Sequence, residues 1–234
     1  MAYKKFEGEE VYFDYTKTDN NKVLSKIIIA VVRAIAFLVY RIKYIGRENI
    51  PKNGGFIIAC NHISICDPVF LKFACKSTHF MAKGELFTKK WFSAILRILG
   101  AFPVKRGNSD KTSVEYAIRI LNEGKILGMF PEGTCSDTGL PGQPKAGVAL
   151  VAKATGADVL PVAICTKKKG RVFQKVVIRF GEIIPYENLG LSEDKRSSSE
   201  LRNASRMIMD RIIDLWKLGP NALDENKGGQ QVEN

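Results

Sequence analysis

The sequence predicts an α/β fold, with a mostly parallel central sheet flanked by helices and an N-terminal membrane-interface helix ahead of it. Three observations carry that expectation. From Gly46 onward, short apolar runs of strand length alternate with stretches of helical periodicity, the pattern that builds parallel sheets with helices on their faces. The chain has 234 residues, 45% of them hydrophobic, which suits one domain with a sizeable core and excludes wholesale disorder. Before Gly46, Val23–Tyr40 is apolar apart from Lys26 and Arg33.

Taken in order, residues 1–21 mix aromatic side chains (Phe6, Tyr12, Phe13, Tyr15) with charges of both signs and lack the apolar stretch of a signal peptide. No structure is assigned to them. As a helix, Val23–Tyr40 would be about 27 Å long at ~1.5 Å per residue, just short of a bilayer core of ~30 Å. At ~100° per residue, Lys22, Lys26 and Arg33 share one stripe, with Arg41 and Lys43 just beyond, as in a helix lying in the interface while its cations reach headgroups. Lying in the membrane is favoured; a single span and a buried core helix stay open.

Beyond Gly46, strands are expected at Phe56–Cys60, Thr78–Ala82, Ile126–Phe130 and Val159–Ile164, and helices at Val69–Cys75, Lys90–Leu99, Lys111–Glu123 and Ala146–Thr155. Arg171–Phe180 reads as a further strand. Lys195–Leu218 reads as a helix, with Leu201, Ile208, Ile212 and Leu215 at helical spacing. Trp91–Leu99 is amphipathic and could rest on a membrane, although a core helix is the plainer reading.

Thirty-six Lys and Arg against 24 Asp and Glu give a net charge of +12, which favours anionic partners: nucleic acid, anionic lipid or an acidic carrier protein. The cluster Lys167-Lys168-Lys169-Gly170-Arg171 could touch such a partner, or be a solvated turn. No base-stacking motif or recognition-helix signature appears, so no nucleic-acid partner is expected. The cysteines Cys60, Cys66, Cys75, Cys135 and Cys165 form no CxxC pair, which fits reduced, mostly buried thiols in a cytosol-facing protein. A zinc site drawing on Cys60, His62, Cys66, Cys75 and His79 is an alternative, but the spacing matches no ordered finger or ribbon.

The segment Asn61-His62-Ile63-Ser64-Ile65-Cys66-Asp67 follows directly on the strand Phe56–Cys60. In an open α/β sheet the carboxyl ends of strands are where ligands bind. Asp67-Pro68 reads as the N-cap and first residue of a helix, and the loop is short enough for Asp67 to fold back onto the His62 ring. That contact would fix the tautomer and leave the other nitrogen to take a proton from a hydroxyl. Three further segments follow in order. Gly100–Gly107 puts Lys105 and Arg106 after a short strand, suited to an anionic headgroup. Phe130-Pro131-Glu132-Gly133-Thr134 ends another strand, and Val159-Leu160-Pro161-Val162 is an apolar strand interrupted by proline.

These four segments, in this order, resemble the glycerolipid acyltransferase family, typified by 1-acylglycerol-3-phosphate (lysophosphatidic acid) acyltransferases. The resemblance runs from about Gly46 to Phe180, through an NHxxxxD box, an FPVKRG-type box, an FPEGT box and a VxPV-type box. It implies that His62 is the general base and Asp67 its orienting partner. It further implies that Lys105 and Arg106 hold the acceptor phosphate, that Gly107 beside them is substrate-binding, and that Glu132, Gly133 and Thr134 help shape the acceptor site. The donor would be an acyl thioester, of coenzyme A or acyl carrier protein, with no cofactor and no metal. The expected partners are a membrane phospholipid surface, a lysophospholipid acceptor and that donor, at the cytoplasmic face of the cell membrane. Domain organisation follows: a membrane-associated segment over 1–45, the acyltransferase domain over 46–218 and a flexible tail over 219–234.

One position departs from the family. Its third box often reads EGTRS, and this chain has Cys135 in place of the arginine, which removes a forked phosphate contact. Either Lys105 and Arg106 suffice, with Lys145 or Lys83 assisting, or the acceptor is another lysophospholipid or glycerol 3-phosphate. The expected chemistry is direct transfer without an acyl-enzyme, since no G-x-S-x-G elbow occurs. Backbone amides near the helix start after His62 are the expected oxyanion donors.

Overall fold

The computed structural model describes residues 4–6, 9–11, 13–14, 22–105, 110–167, 173–192 and 197–220. A short antiparallel hairpin, β1 (Lys4–Phe6) with β2 (Glu9–Val11), precedes helix α1 (Lys22–Val39). The main chain then alternates: β3 (Arg41–Ile45), β4 (Ile57–Cys60), α2 (Asp67–Ala74), β5 (Thr78–Lys83), α3 (Lys90–Ile98), β6 (Ala101–Val104), α4 (Lys111–Asn122), β7 (Ile126–Met129), α5 (Gly147–Thr155), β8 (Val159–Thr166), β9 (Lys175–Phe180) and α6 (Ser198–Lys217). Seven strands form one sheet in the order β3-β9-β8-β4-β7-β5-β6. Only β8 and β9 pair antiparallel within it, so the expected mostly parallel α/β fold is what the chain adopts.

Residue alternation along the central strands sorts the core into two layers. On β4, Ile57 and Ala59 face α4, α5 and α6, while Ile58 and Cys60 face α1 and α2. All four are fully buried, as a strand covered on both faces requires. Each such isoleucine contributes ~1.5–3 kcal/mol by leaving water. Gly128 on β7 is needed for packing, because a Cβ there would stand 2.1 Å from the ring of Phe80. Proline within a sheet is a liability away from edges. Pro103 lies on the edge strand β6, and Pro161 lies level with the point where β9 has ended, its carbonyl accepting from the Gly181 N–H at 2.9 Å.

The sequence-based boundaries agree with the observed elements to within a few residues, and three details matter. Arg41–Ile45 forms β3, paired in parallel with β9, so cations read as the end of a helical stripe belong to a strand of the main sheet. The N-cap of α2 is Cys66, and Asp67 is already helical; its carboxylate serves the loop instead of the cap. Trp91–Leu99 is covered on one side only: Ser93 is buried and Leu96 packs against the core, while Trp91 is 67% exposed.

Helix α1 presents Ile29, Val32 and Ala36 to the core and leaves Ile27, Val31, Ile35 and Leu38 exposed in a stripe along its other side. Among the described residues no helix is long and apolar enough to cross a membrane. Arg106, Gly107, Lys168, Lys169, Gly170 and Arg171 lie outside the described residues, as does the tail from 221.

Candidate active site

The strands β4, β7, β5 and β6 are neighbours and run parallel. Their carboxyl ends therefore lie side by side and lead, in that order, into His62, Glu132, Lys83 and Lys105. Just past β4, Asn61 is completely buried and locks onto β8: its Nδ2 donates to the Ile164 carbonyl at 3.0 Å and its Oδ1 accepts from the Ile164 N–H at 2.8 Å. The residue after this clamp is His62, so its position is fixed by the sheet.

His62 Nδ1 lies 2.9 Å from Asp67 Oδ2. That same oxygen accepts the backbone N–H groups of Ile63 at 2.7 Å and Ser64 at 2.8 Å, and Asp67 is fully buried. A carboxylate oxygen taking two amide hydrogens is an acceptor for the ring as well, which puts the imidazole proton on Nδ1 and the lone pair on Nε2. The imidazole stacks on Phe130, ring centroids 4.1 Å apart. Helix α2, which carries Asp67, is itself seated by the edge of the sheet: the Tyr44 hydroxyl of β3 donates to the Phe70 carbonyl at 2.9 Å.

The loop after β7 grips His62 on both sides. Glu132 Oε1 accepts the His62 N–H at 2.9 Å, Glu132 Oε2 accepts the Gly142 N–H at 3.0 Å, and the Ser136 N–H donates to the His62 carbonyl at 2.7 Å. Burial pushes the Glu132 carboxyl above its ordinary value, and the two amide hydrogen bonds pull the other way. Glu132 is 6% exposed. Both carboxylate oxygens of Glu132 are thus engaged by backbone amides, and they hold the loop that carries His62. Gly133 has φ +72, a left-handed turn suited to glycine, and Thr134 is exposed beside it.

Lys105 is exposed at the end of β6, its backbone N–H bound to Asp110 Oδ2 at 2.9 Å. Lys83 is paired with Glu85 at 3.0 Å. Four backbone amides of the loop between His62 and α2 are engaged within the loop itself. The amides of Ile63 and Ser64 go to Asp67, that of Cys66 to Ser64 Oγ at 3.2 Å, and that of Asp67 to the Ser64 carbonyl at 3.1 Å. Among the described residues no group of three His, Cys, Asp or Glu side chains could hold a metal ion, so the Cys/His cluster considered above does not assemble. The grip of Glu132 and Ser136 on His62 had no signal in the sequence beyond the place of Phe130–Thr134 at a strand end.

Comparison with known proteins follows the same residues. A family model described as Acyltransferase matches residues 41–165. The 1-acyl-sn-glycerol-3-phosphate acyltransferase of Bacillus subtilis is 36% identical over 137 residues, covering 57% of this chain and 68% of the relative. The protein of the same name from Streptococcus pneumoniae is 28% identical over 199 residues, covering 82% and 70%. Among solved structures, the crystal structure of the 1-acyl-sn-glycerophosphate (LPA) acyltransferase PlsC from Thermotoga maritima superposes with a TM-score of 0.64 at 27% identity, covering 90% of this chain and 83% of that one.

Proposed function

The chain belongs to the acyltransferase family, and from that premise we propose that it is a 1-acylglycerol-3-phosphate O-acyltransferase, transferring an acyl group from a thioester to the free hydroxyl of lysophosphatidate. The names of its relatives support the acceptor. One observation carries the chemistry: the 2.9 Å contact of His62 Nδ1 with the buried Asp67 carboxylate, which leaves Nε2 as the nitrogen that can accept a proton.

His62 Nε2 takes the proton of the acceptor hydroxyl as its oxygen attacks the thioester carbonyl carbon. The carbonyl π-bond opens to a tetrahedral oxyanion, then re-forms as the carbon–sulfur bond breaks. The departing thiolate is a good leaving group, its conjugate thiol having a pKa near ~8.5, and the imidazolium returns the proton to it. Asp67 keeps the ring in one tautomer and steadies the transient cation. Buried Asn61 and Glu132 keep the loop in register with the sheet, so the base is preorganised before substrate arrives.

Acceptor and product both reside in a bilayer, so the proposed reaction takes place at a membrane surface. The exposed stripe Ile27, Val31, Ile35 and Leu38, with Trp91 on the neighbouring helix α3, gives an apolar face for the interfacial region of a membrane, here at its cytoplasmic side. The donor is acyl-coenzyme A or acyl carrier protein, and the chain brings no cofactor of its own. Purified protein assayed with lysophosphatidate and each donor tests the assignment. Formation of phosphatidate with one of them is expected; transfer only to other lysolipids or to glycerol 3-phosphate would move the acceptor.

A further inference from the structure

Cys135 removes a cation from the third box, and the acceptor phosphate must find another near His62. The free hydroxyl and the phosphate of lysophosphatidate sit on neighbouring glycerol carbons, so the cation has to lie close to the base. At ~4.8 Å between strands, the end of β6 with Lys105 is three strands, about 14 Å, from the end of β4. The end of β7 is one strand away. Lys145 belongs to the loop that follows β7. Its backbone N–H is tied to the Pro131 carbonyl at 2.9 Å, which sets it against the turn Glu132–Thr134. Its ammonium reaches over Gly133, where a Cβ would stand 3.0 Å from Nζ. A side chain at residue 133 would therefore push the ammonium aside, a second reason for glycine there. Lys145 is exposed and, among the described residues, its ammonium has no carboxylate partner, whereas Lys83 is engaged by Glu85.

We propose that Lys145 binds the phosphate of the acceptor and so takes the part that an arginine at residue 135 plays in relatives with EGTRS. The inference rests on the lysophosphatidate reading given above. A lysine offers a point charge where arginine offers a fork; headgroup selection then depends on charge more than on planar geometry.

The test compares wild type with Lys145→Met, Lys145→Arg and the double variant Cys135→Arg/Lys145→Met, all as full-length protein with circular dichroism to confirm folding. Acceptors are lysophosphatidate and the phosphate-free monoacylglycerol. Lys145→Met is expected to raise KM for lysophosphatidate about tenfold to a hundredfold, the loss of a charge-assisted hydrogen bond, and to leave KM for the donor and use of monoacylglycerol unchanged. Lys145→Arg and the double variant should recover much of the loss. With wild type active, an unchanged KM in Lys145→Met, or an equal loss with monoacylglycerol, overturns the role of Lys145 alone. Wild type that acylates other acceptors but not lysophosphatidate overturns the underlying reading, and this inference with it.

Discussion

Glu132 Oε1 accepts the backbone N–H of His62 at 2.9 Å across a sequence separation of 70 residues. The carboxylate of the third box therefore fixes the backbone of His62, and with His62 as the proposed base it would act on the reaction through the position of that base.

Removing it should slow turnover and spare binding. Glu132→Ala leaves the His62 and Gly142 amides without acceptors, at a cost of about 1–3 kcal/mol each when such groups are buried, and is expected to lower kcat by roughly tenfold to a hundredfold. Glu132→Gln keeps one acceptor oxygen and should fall between. Steady-state kinetics would show KM for the acceptor unchanged in both; a large rise in that KM with kcat intact would return Glu132 to the acceptor site.

How much of this was legible follows from range. His62 and Asp67 are a few residues apart on a short loop after a strand, so their contact could be read directly. Glu132 could be located at a strand end, yet the direction of its carboxylate depends on β7 lying beside β4, a fact of sheet order. Arg41–Ile45 shows the reverse: its alternation of charged and apolar residues is a strand signal, but Arg41 and Lys43 also continue a helical cation stripe, and only pairing with β9 decides between the two periods. For α3 an amphipathic pattern alone does not say what covers each side: Leu96 meets the core while Trp91 is exposed.

Lys72 supplies a pH-dependent test of packing. It is 8% exposed, donates to the Thr78 carbonyl at 2.8 Å, and burial lowers its pKa from 10.5 to about 8. Between pH about 8 and 10.5 the unfolded chain keeps this proton while the folded chain has lost it, so stability contributed by this group rises with pH across that window. Below it the cost of the buried charge is constant. Urea unfolding of wild type and Lys72→Met across the window should show their difference drifting in favour of wild type by up to about 3 kcal/mol. No drift would place the ammonium in contact with water.

The thiols should divide by burial. Cys60, Cys75 and Cys165 are nearly or fully buried, and burial pushes Cys60 well above its ordinary value and the other two up to about 11. Cys66 and Cys135 are half-buried. Brief alkylation of the native protein at neutral pH, read by peptide mass spectrometry, should mark Cys66 and Cys135 and spare the other three. Labelling of Cys60 without unfolding would contradict the packing of β4.

The apolar stripe of α1 can be tested without touching the site. Leu38 is 79% exposed and Ile35 56%. The double change Ile35→Glu/Leu38→Glu removes two side chains worth ~1.5–3 kcal/mol each when buried, and should weaken sedimentation with phosphatidylglycerol vesicles at least about tenfold. Circular dichroism should be unaltered. Undiminished vesicle binding would move the membrane contact elsewhere.

The dyad itself is tested most directly by acyl transfer from thioester to lysophosphatidate in purified His62→Ala, whose fold is checked by circular dichroism. The assignment of His62 as general base predicts a folded protein with activity reduced by at least about a hundredfold. A folded His62→Ala protein that transfers at the wild-type rate would contradict it.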